Sequence, residues 1–234
     1  MKPIAVVLPL FNEGAVVADL VRRMPPVVDH VFVVDDGSSD DGPRLAMEAG
    51  ARVLQHGARR GVGAAIRTGL LAAREAGCAT AVAMAANGKD DPAEIPRLLA
   101  ALDEGYDYVQ GSRFLRGGSF AHLPRRRFVL IKGYTLTFRV LTGFAATDVT
   151  NGFRAYRLSL LDDPRIDVSQ QWLDGYELEY YLHYKALTLG YRVREVPVSK
   201  NYTPGKQDYS KVRPIVDWWH GVRPVIYLAL HLRR

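Results

Sequence analysis

The sequence feature that most constrains the fold is residues 31–40, which read VFVVDDGSSD. An apolar, β-branched run stops there at two carboxylates, a glycine and two hydroxyls. Strands that are apolar on both faces are typical of a parallel sheet, and open α/β sheets bind ligands at the carboxyl ends of such strands. Asp, Gly and Ser are also common in turns. The stretch by itself therefore indicates either a site or a strand followed by a turn.

Further strand ends of similar character favour the site. Apolar runs at residues 4–10, 80–84 and 108–110 stop before polar stretches that read FNEG, AANGKDD and GSR. A fourth short run lies at residues 52–55. Predicted helices alternate with these strands, at residues 15–24, 43–49, 64–76 and 94–102. This alternation predicts an α/β fold with a doubly wound, mostly parallel sheet.

The second half of the chain changes character. Helices are predicted at residues 124–141, with a basic start, and at 176–189, and a strand at 191–198. Residues 201–211 are rich in Gly, Pro, Lys and Tyr, and we interpret them as a mobile lid. The tail from residue 214 carries two tryptophans and several leucines, so we expect a helix that packs on the core, mediates a homodimer or lies on a membrane surface.

The length, net charge and cysteine content of the chain limit the class of protein. At 234 residues the chain is long enough for one large domain, which we divide into a nucleotide-binding half (1–110), an acceptor-side half (111–211) and a helical tail (212–234). A net charge of +6 suits an anionic partner, but the basic residues are scattered, which argues against nucleic acid. The single cysteine, Cys78, and the absence of a signal peptide or membrane-length apolar run predict a cytoplasmic protein, at most peripheral on the membrane.

Seven motifs in order carry a family resemblance. They are residues 9–13 (PLFNE), 34–40 (VDDGSSD), 61–69 (GVGAAIRTG), 91–96 (DPAEIP), 111–113 (GSR), 147–154 (TDVTNGFR) and 195–197 (EVP). With them the chain resembles the family 2 inverting glycosyltransferases of GT-A fold, in the branch that includes dolichol-phosphate mannosyltransferase and bacterial polyprenyl-phosphate or polysaccharide sugar transferases. The resemblance implies a Rossmann-like sheet and a UDP-, GDP- or dTDP-sugar donor.

The resemblance also implies roles for individual residues. The donor's base, ribose and neighbouring groups would contact Pro9, Phe11, Asn12, Glu13, Asp36, Gly63 and Asn87. The sugar or the acceptor would contact Arg113, Asn151, Arg154, Lys206 and Lys211. The reaction centre would include Asp148, Glu177 and Glu179.

One departure from the family concerns the metal. Relatives carry Asp-x-Asp after the fourth strand to hold Mg²⁺ or Mn²⁺, whereas this chain has Ala85, Ala86 and Asn87 there, followed by Lys89. A hard divalent cation prefers anionic oxygen ligands. Our hypothesis is that the Lys89 ammonium replaces the metal against the leaving diphosphate. A metal held by Asn87, Asp90 and Asp91 from a shifted position, or a transfer site that has decayed, are the alternatives.

The expected reaction is transfer of a glycosyl group with inversion. A hydroxyl or amine acceptor on a small molecule or cell-envelope precursor needs a general base, for which Asp148, Asp174, Glu177 and Glu179 are candidates. A polyprenyl phosphate is already anionic and needs cations instead, such as Arg154 or those at residues 125–127. A non-catalytic binder of nucleotide sugars is the alternative function. A nucleotidyltransferase is disfavoured because residues 11–13 (FNE) lack the expected glycine-rich basic loop.

Overall fold

The computed structural model describes residues 3–202, 216–230 and 232, and for residues 216–222 it describes the helix alone. The strands are β1 (Ile4–Leu10), β2 (His30–Asp35), β3 (Arg52–Gln55), β4 (Thr80–Ala83), β5 (Tyr108–Ser112), β6 (Ser119–Ala121), β7 (Arg154–Arg157), β8 (Val193–Pro197) and β9 (Ser199–Asn201). The helices are α1 (Gly14–Arg22), α2 (Gly42–Glu48), α3 (Val62–Glu75), α4 (Ile95–Asp103), α5 (Arg125–Thr142), α6 (Glu177–Thr188) and α7 (Val216–Ala229). Short 3₁₀ turns lie at Pro92–Glu94, Leu158–Asp162 and Gln171–Leu173.

The central sheet has seven strands in the order β3-β2-β1-β4-β7-β5-β8. Strand β7 runs antiparallel to both of its neighbours, and the other pairs are parallel. This architecture confirms the predicted α/β class with a mostly parallel sheet. The chain leaves β1 toward β2 on one side and returns to β4 on the other, so the sheet's topological switch point lies between β1 and β4.

Apolar side chains on both faces of the sheet explain why the helices cover it. Helix α1 buries Val17, Leu20 and Val21 against one face. Helix α3 covers the other face, and Gly69 lets it approach closely, because a Cβ at that position would lie 2.3 Å from Cγ1 of Val7. The two faces therefore carry separate hydrophobic cores, and the polar strand ends are left at the carboxyl edge.

The second half contains the predicted helices and, in addition, a small sheet that the sequence analysis did not predict. Strands β6 and β9 pair in parallel as a separate two-stranded sheet beside the carboxyl edge. Helices α5, α6 and α7 pack together around a third apolar cluster that includes Phe138 and Val225. Val225 and Leu228 are buried, so the described part of the tail packs against the rest of the protein. No helix among the described residues is both long and apolar enough to span a membrane.

Several sequence expectations lie outside the described residues. They are Lys206, Lys211, most of the expected lid, and the side chains of Trp218 and Trp219.

Candidate functional site at the carboxyl edge

The loops after β1 and β2 form one wall of the carboxyl edge. Asn12, at a φ of 54°, donates its backbone N–H to Ser38 Oγ over 3.0 Å. Its side-chain oxygen accepts from the N–H of Ser39 over 2.8 Å. Asp40 accepts from the N–H of Gly14 over 2.8 Å and so ties the start of α1 to the same loop. The polar residues after the two strands therefore bind each other, which fixes the wall next to the switch point.

The residues expected to hold the nucleoside line this wall. Pro9 and Phe11 are half-buried at the end of β1, and the guanidinium of Arg59 lies 4.3 Å from the centre of the Phe11 ring. Glu13 occupies the N-cap position of α1 and makes no capping hydrogen bond with its side chain. An aromatic face backed by a cation, beside polar backbone, is a suitable surface for a nucleobase.

The carboxylate of Asp36 makes its hydrogen bonds to other groups of the protein. It is 4% exposed, and its Oδ1 accepts from the N–H of Arg60 over 2.8 Å and lies 2.9 Å from Nδ1 of His56. Its Oδ2 accepts from the N–H of Gly61 over 2.9 Å. Because three donors already occupy the carboxylate, its principal role in this structure is to hold the loop before α3, and it leaves little capacity for a ligand.

The glycines at the start of α3 serve close packing. A Cβ on Gly63 would lie 2.1 Å from the carbonyl oxygen of Leu173, and one on Gly61 would lie 2.3 Å from that of Asp174. Gly61 also has a φ of 118°, which disfavours any other residue. Gly63 thus contacts the backbone before α6, and this contact explains the glycine without a ligand.

Lys89 lies at the end of the loop that follows β4, on the far side of the switch point. Its backbone N–H donates to Oδ1 of Asn87 over 3.2 Å, and its carbonyl accepts from the N–H of Asn201 over 2.9 Å. The loop is therefore closed on itself and joined to β9. The side chain is 9% exposed, which is unusually low for a lysine.

Several cations converge around Tyr202. The ammonium of Lys89 lies 5.7 Å from the centre of the Tyr202 ring, and the guanidinium of Arg127, from α5, lies 5.4 Å from it. Burial, followed by the charges of Arg127 and Lys200, lowers the pKa of Lys89 to about 8, against the opposing effect of Glu13 and Asp90. Side chains that repel one another in this way form a suitable place for an anion.

Lys200 belongs to this site and was missed by the sequence analysis. Its Nζ donates to Oδ1 of Asp90 over 2.6 Å and to Oδ1 of Asn151 over 2.8 Å. All three side chains are nearly fully buried. Oδ2 of Asp90 and Nδ2 of Asn151 are buried polar atoms without a hydrogen-bond partner in the described part of the chain.

The residues considered for a metal do not form a metal site. Asp90 holds Lys200, and Oδ1 of Asn87 accepts from the backbone of Lys89. Asp91 accepts from the N–H of Ala93 over 3.1 Å and from Arg23 over 2.8 Å, so it caps the 3₁₀ turn. Among the described residues no group of three or more His, Cys, Asp or Glu side chains is placed to hold a metal ion. This donor set does not fit a hard divalent cation.

Arg113 and Asp148 form a closed ion pair beside the cations. Nε and Nη2 of Arg113 donate to the two carboxylate oxygens of Asp148 over 2.6 and 2.7 Å, and Nη1 donates to the Tyr202 hydroxyl over 2.5 Å. Burial alone would lower the pKa of Arg113, but the Asp148 carboxylate raises it above its ordinary value. Arg113 therefore positions Tyr202 under the cations.

Arg154 was expected on the acceptor side, but its contacts are internal. It is 1% exposed and donates to the Tyr108 hydroxyl over 2.8 Å and to the carbonyls of Asn151 and Val149 over 2.9 and 3.0 Å. Burial alone would lower its pKa, but Tyr108 and Glu179 raise it. The structure thus places Arg154 in the core beneath the site, and its contacts do not support a role in binding the acceptor.

The four carboxylates considered as a general base share one property, since each lies against an arginine. Asp148 faces Arg113 at 2.6 Å, Asp174 faces Arg67 at 2.6 Å, Glu177 faces Arg223 at 2.5 Å and Glu179 faces Arg154 at 3.4 Å. Protonating any of them would neutralise one half of an ion pair. This arrangement suits a reaction in which no carboxylate has to take a proton.

The structure brings Lys89, Asn87 and Asn151 together with Asp90, Lys200 and Tyr202. Glu177 pairs instead with Arg223, and Arg154 reaches this group only through the backbone carbonyl of Asn151. Lys200 and Tyr202 lie three and five residues after the end of the motif EVP of residues 195–197. The signal that could have identified them is a lysine and a tyrosine in a short strand-like stretch after this motif.

The chain is similar to known glycosyltransferases. The family model "Glycosyl transferase family 2" matches residues 5–164. Polyprenol monophosphomannose synthase from Mycolicibacterium smegmatis is 36% identical over 204 residues, which cover 83% of this chain and 76% of that protein. Undecaprenyl-phosphate mannosyltransferase from Micrococcus luteus is 31% identical over 200 residues, covering 82% and 81%.

Solved structures share the fold. Glucosyl-3-phosphoglycerate synthase from Mycobacterium tuberculosis, crystallised with Mn²⁺, UDP and glucosyl-3-phosphoglycerate, superposes with a TM-score of 0.69 at 23% identity and covers 98% of this chain and 79% of that one. At this identity the likeness concerns the fold, and it agrees with the predicted GT-A architecture.

Proposed function

Because the chain belongs to glycosyl transferase family 2 and is a glycosyltransferase, we propose that it transfers a hexosyl group from a nucleoside-diphosphate sugar to the phosphate of a polyprenyl lipid. The names of two relatives support this acceptor, since one is a polyprenol monophosphomannose synthase and the other an undecaprenyl-phosphate mannosyltransferase. Family membership argues against the alternative of a non-catalytic binder.

The observation that carries the proposal is the convergence of Lys89, Arg127 and Lys200 near the buried ring of Tyr202. Two anions must meet at this edge, because the donor's diphosphate and the acceptor's phosphate both approach the anomeric carbon. Fixed cations in a site shielded from water stabilise such an arrangement more strongly than cations in bulk water.

The reaction follows from these charges. A phosphate oxygen of the lipid attacks the anomeric carbon, and a new carbon–oxygen bond forms on the face opposite the leaving group. The bond from the anomeric carbon to the nucleoside diphosphate breaks, and its electron pair goes to the departing diphosphate. The configuration is inverted. No proton has to be removed from the acceptor, which agrees with base candidates that are already paired with arginines.

We further propose that Lys89 takes the electrostatic role that a divalent cation has in relatives. Its loop follows β4, where the family's metal-binding carboxylates would lie, and the donor set there does not fit a hard cation. An ammonium held near the leaving diphosphate neutralises charge as that charge develops. Crystals of the M. tuberculosis synthase contain Mn²⁺ or Mg²⁺ with UDP, so a metal-dependent mechanism is the competing proposal.

The test measures transfer to undecaprenyl phosphate in detergent from UDP-, GDP- and dTDP-sugars, each with Mg²⁺, with Mn²⁺ and with EDTA. We expect turnover that survives EDTA and that falls about 10²-fold or more in Lys89→Ala, by analogy with loss of one preorganised electrostatic contact. Arg22→Ala is the matched control, because it removes an exposed cation on α1.

Each part of the proposal can fail separately. Turnover that requires the divalent ion, with little effect of Lys89→Ala, would contradict the role of Lys89 and leave the acceptor intact. Transfer to neutral hydroxyl acceptors without any transfer to lipid phosphate would contradict the acceptor. Absence of transfer from every donor would contradict the proposed reaction as a whole.

A further inference from the structure

Helix α5 carries an apolar stripe that faces away from the protein. The helix buries Ile131, Tyr134 and Phe138 on its inner side. On the opposite side, Val129 is 66% exposed, Leu136 is 61% exposed and Val140 is 76% exposed. At 100° per residue these three positions lie within about 40° of one another around the helix. An aligned set of large apolar side chains in water marks an interaction surface more often than a single one does.

The charges on α5 all have the same sign. Its sequence, RRRFVLIKGYTLTFRVLT, contains five arginines and lysines and no aspartate or glutamate. Helical geometry places Arg125, Lys132 and Arg139 along one flank of the exposed stripe and Arg126 along the other. An apolar stripe between rows of cations is the pattern of helices that lie in the interface of an anionic membrane, where long basic side chains extend to the headgroups.

An aromatic cluster extends the stripe toward the site. The rings of Phe114, Phe120 and Phe128 lie 5.4 to 6.2 Å apart, and Phe120 and Phe128 are 42% and 36% exposed. Lys132 lies 3.6 Å from the centre of the Phe114 ring and so joins the cluster to α5. Phe114 directly follows Arg113 in the sequence, so the exposed apolar surface begins next to the cations that surround Tyr202.

We propose that α5 and this phenylalanine cluster form a membrane-docking surface that lies in the headgroup region of an anionic phospholipid bilayer. The uniform positive charge favours this occupant over a second copy of the chain. Two α5 faces brought together would place like charges against each other without a carboxylate from either helix, which is destabilising. A bilayer instead offers hydrocarbon to the stripe and phosphate to its flanks.

The docking surface gives a reason for the position of the site, and this part rests on the proposed function. A polyprenyl phosphate keeps its isoprenoid chain in the bilayer and presents only its headgroup. A protein docked through α5 would hold Arg127, on the first turn of that helix, and the neighbouring cations at headgroup level. The phenylalanine cluster would contact the first isoprenoid units that leave the bilayer.

The experiment compares flotation of the full chain with vesicles of phosphatidylcholine alone and of phosphatidylcholine mixed with phosphatidylglycerol. We expect binding to the anionic vesicles, and a loss of about tenfold or more in Val129→Ser/Leu136→Ser/Val140→Ser, because three apolar side chains no longer insert. Met47→Ser is the matched control, since Met47 is 61% exposed on α2, away from the docking surface.

A charge variant tests the basic flank independently. Lys132→Gln/Arg139→Gln is expected to reduce binding to anionic vesicles by about tenfold and to reduce its sensitivity to salt, since each cation near such a surface contributes to affinity. Arg22→Gln/Arg52→Gln removes the same net charge from α1 and β3 and is expected to bind as the wild type does.

The outcomes separate docking from catalysis. The serine triple variant is expected to retain its Tm and its turnover on undecaprenyl phosphate in detergent, and to lose turnover on the same lipid in vesicles. If the wild-type protein does not bind anionic vesicles, the proposed docking surface is contradicted and the proposed transfer reaction is unaffected. A triple variant that changes a dimer into a monomer in light scattering, with vesicle binding unaffected, would assign the face to a second copy and also overturn the proposal.

Discussion

Two charged regions lie side by side at the carboxyl edge and differ in how their charges are compensated. Arg113 and Asp148 hold each other through paired hydrogen bonds, and both are almost completely buried. A short distance away, Lys89, Arg127 and Lys200 lie close enough that the latter two lower the pKa of the first. A compensated pair such as Arg113 and Asp148 stabilises the fold. In the second region Asp90 pairs with Lys200, but the charges of Arg127 and Lys200 still lower the pKa of Lys89, and such an excess of positive charge suits an anionic ligand. The first region therefore stabilises the fold, and the second is the region that we propose binds the anionic groups of the substrates.

The largest expected effect is on stability, at the compensated pair. Arg113→Met leaves the Asp148 carboxylate buried without its main partner, and we expect a loss of about 3–5 kcal/mol in the free energy of unfolding. Urea denaturation measures it. The matched control is Arg44→Met, which breaks an exposed pairing with Asp41 and Glu48 and should cost less than about 1 kcal/mol. Equal losses in the two variants would contradict the structural role of the buried pair.

The second expected effect is on ligand binding, with no loss of stability. Lys89→Met removes a buried ammonium that Arg127 and Lys200 repel, so we expect the free energy of unfolding to stay the same or to rise. Affinity for the tightest-binding nucleoside diphosphate, measured by calorimetry in EDTA, should fall about 10- to 100-fold. A variant that loses stability and binds as the wild type does would reverse the comparison between the two regions.

The contrast between the regions also shows what the sequence could reveal. The strand ends were predictable, because an apolar run followed by Asp, Gly, Ser or Asn is a local pattern, as at residues 31–40. The loop after β4 could be recognised for the same reason, because its sequence lacks the expected carboxylates and contains a lysine. These features depend on neighbours in the sequence, and β1 and β3 occur with the predicted bounds.

The remaining features depend on partners that are distant in the sequence. Arg154 looked like a ligand-binding arginine, but its environment comes from Tyr108 and from α6, neither of which is local to it. Lys200 lies 110 residues from Asp90 and sits on a three-residue strand that has no strong periodicity. The local sequence around an arginine or lysine is similar whether its side chain lies in the core or in a site. Only the tertiary contacts of Arg154 and Lys200 distinguish the two environments.

The third prediction concerns pH and sharpens the role of Lys89. Its pKa is about 8 in the folded protein and 10.5 ordinarily, so between these values the native state has released a proton that the unfolded state retains. The stability penalty of the buried charge is therefore present in full below pH 8 and disappears as the pH rises toward 10.5. An anionic ligand favours the charged form, so nucleotide affinity should fall above pH 8 by up to about tenfold per pH unit.

Calorimetry in two buffers of different ionisation enthalpy, near pH 9, checks this prediction. Binding of the nucleoside diphosphate should take up a proton in the wild type, and this uptake should be absent in Lys89→Met. Uptake of the same size in both proteins would assign the titration to another group. Within the described part of the chain, the charged groups with the largest effect on the pKa of Lys89 are Arg127 from α5, Lys200 from β9, Glu13 at the start of α1 and Asp90 in its own loop.

The smallest expected effect separates a capping carboxylate from a metal ligand. Asp91 accepts from the N–H of Ala93 at the start of a 3₁₀ turn and pairs with Arg23 at a partly exposed position. Asp91→Ala should therefore cost about 1 kcal/mol of unfolding free energy, as the loss of a cap typically does. Turnover with Mg²⁺, with Mn²⁺ and with EDTA should stay within a factor of about two of the wild type, because the residue's contacts lie away from the cations around Tyr202.

Asp91→Asn keeps a capping oxygen and should recover most of the stability. A variant that keeps its stability and loses only its metal-dependent turnover would instead identify Asp91 as a metal ligand. The diphosphate would then be neutralised by a metal ion and not by Lys89.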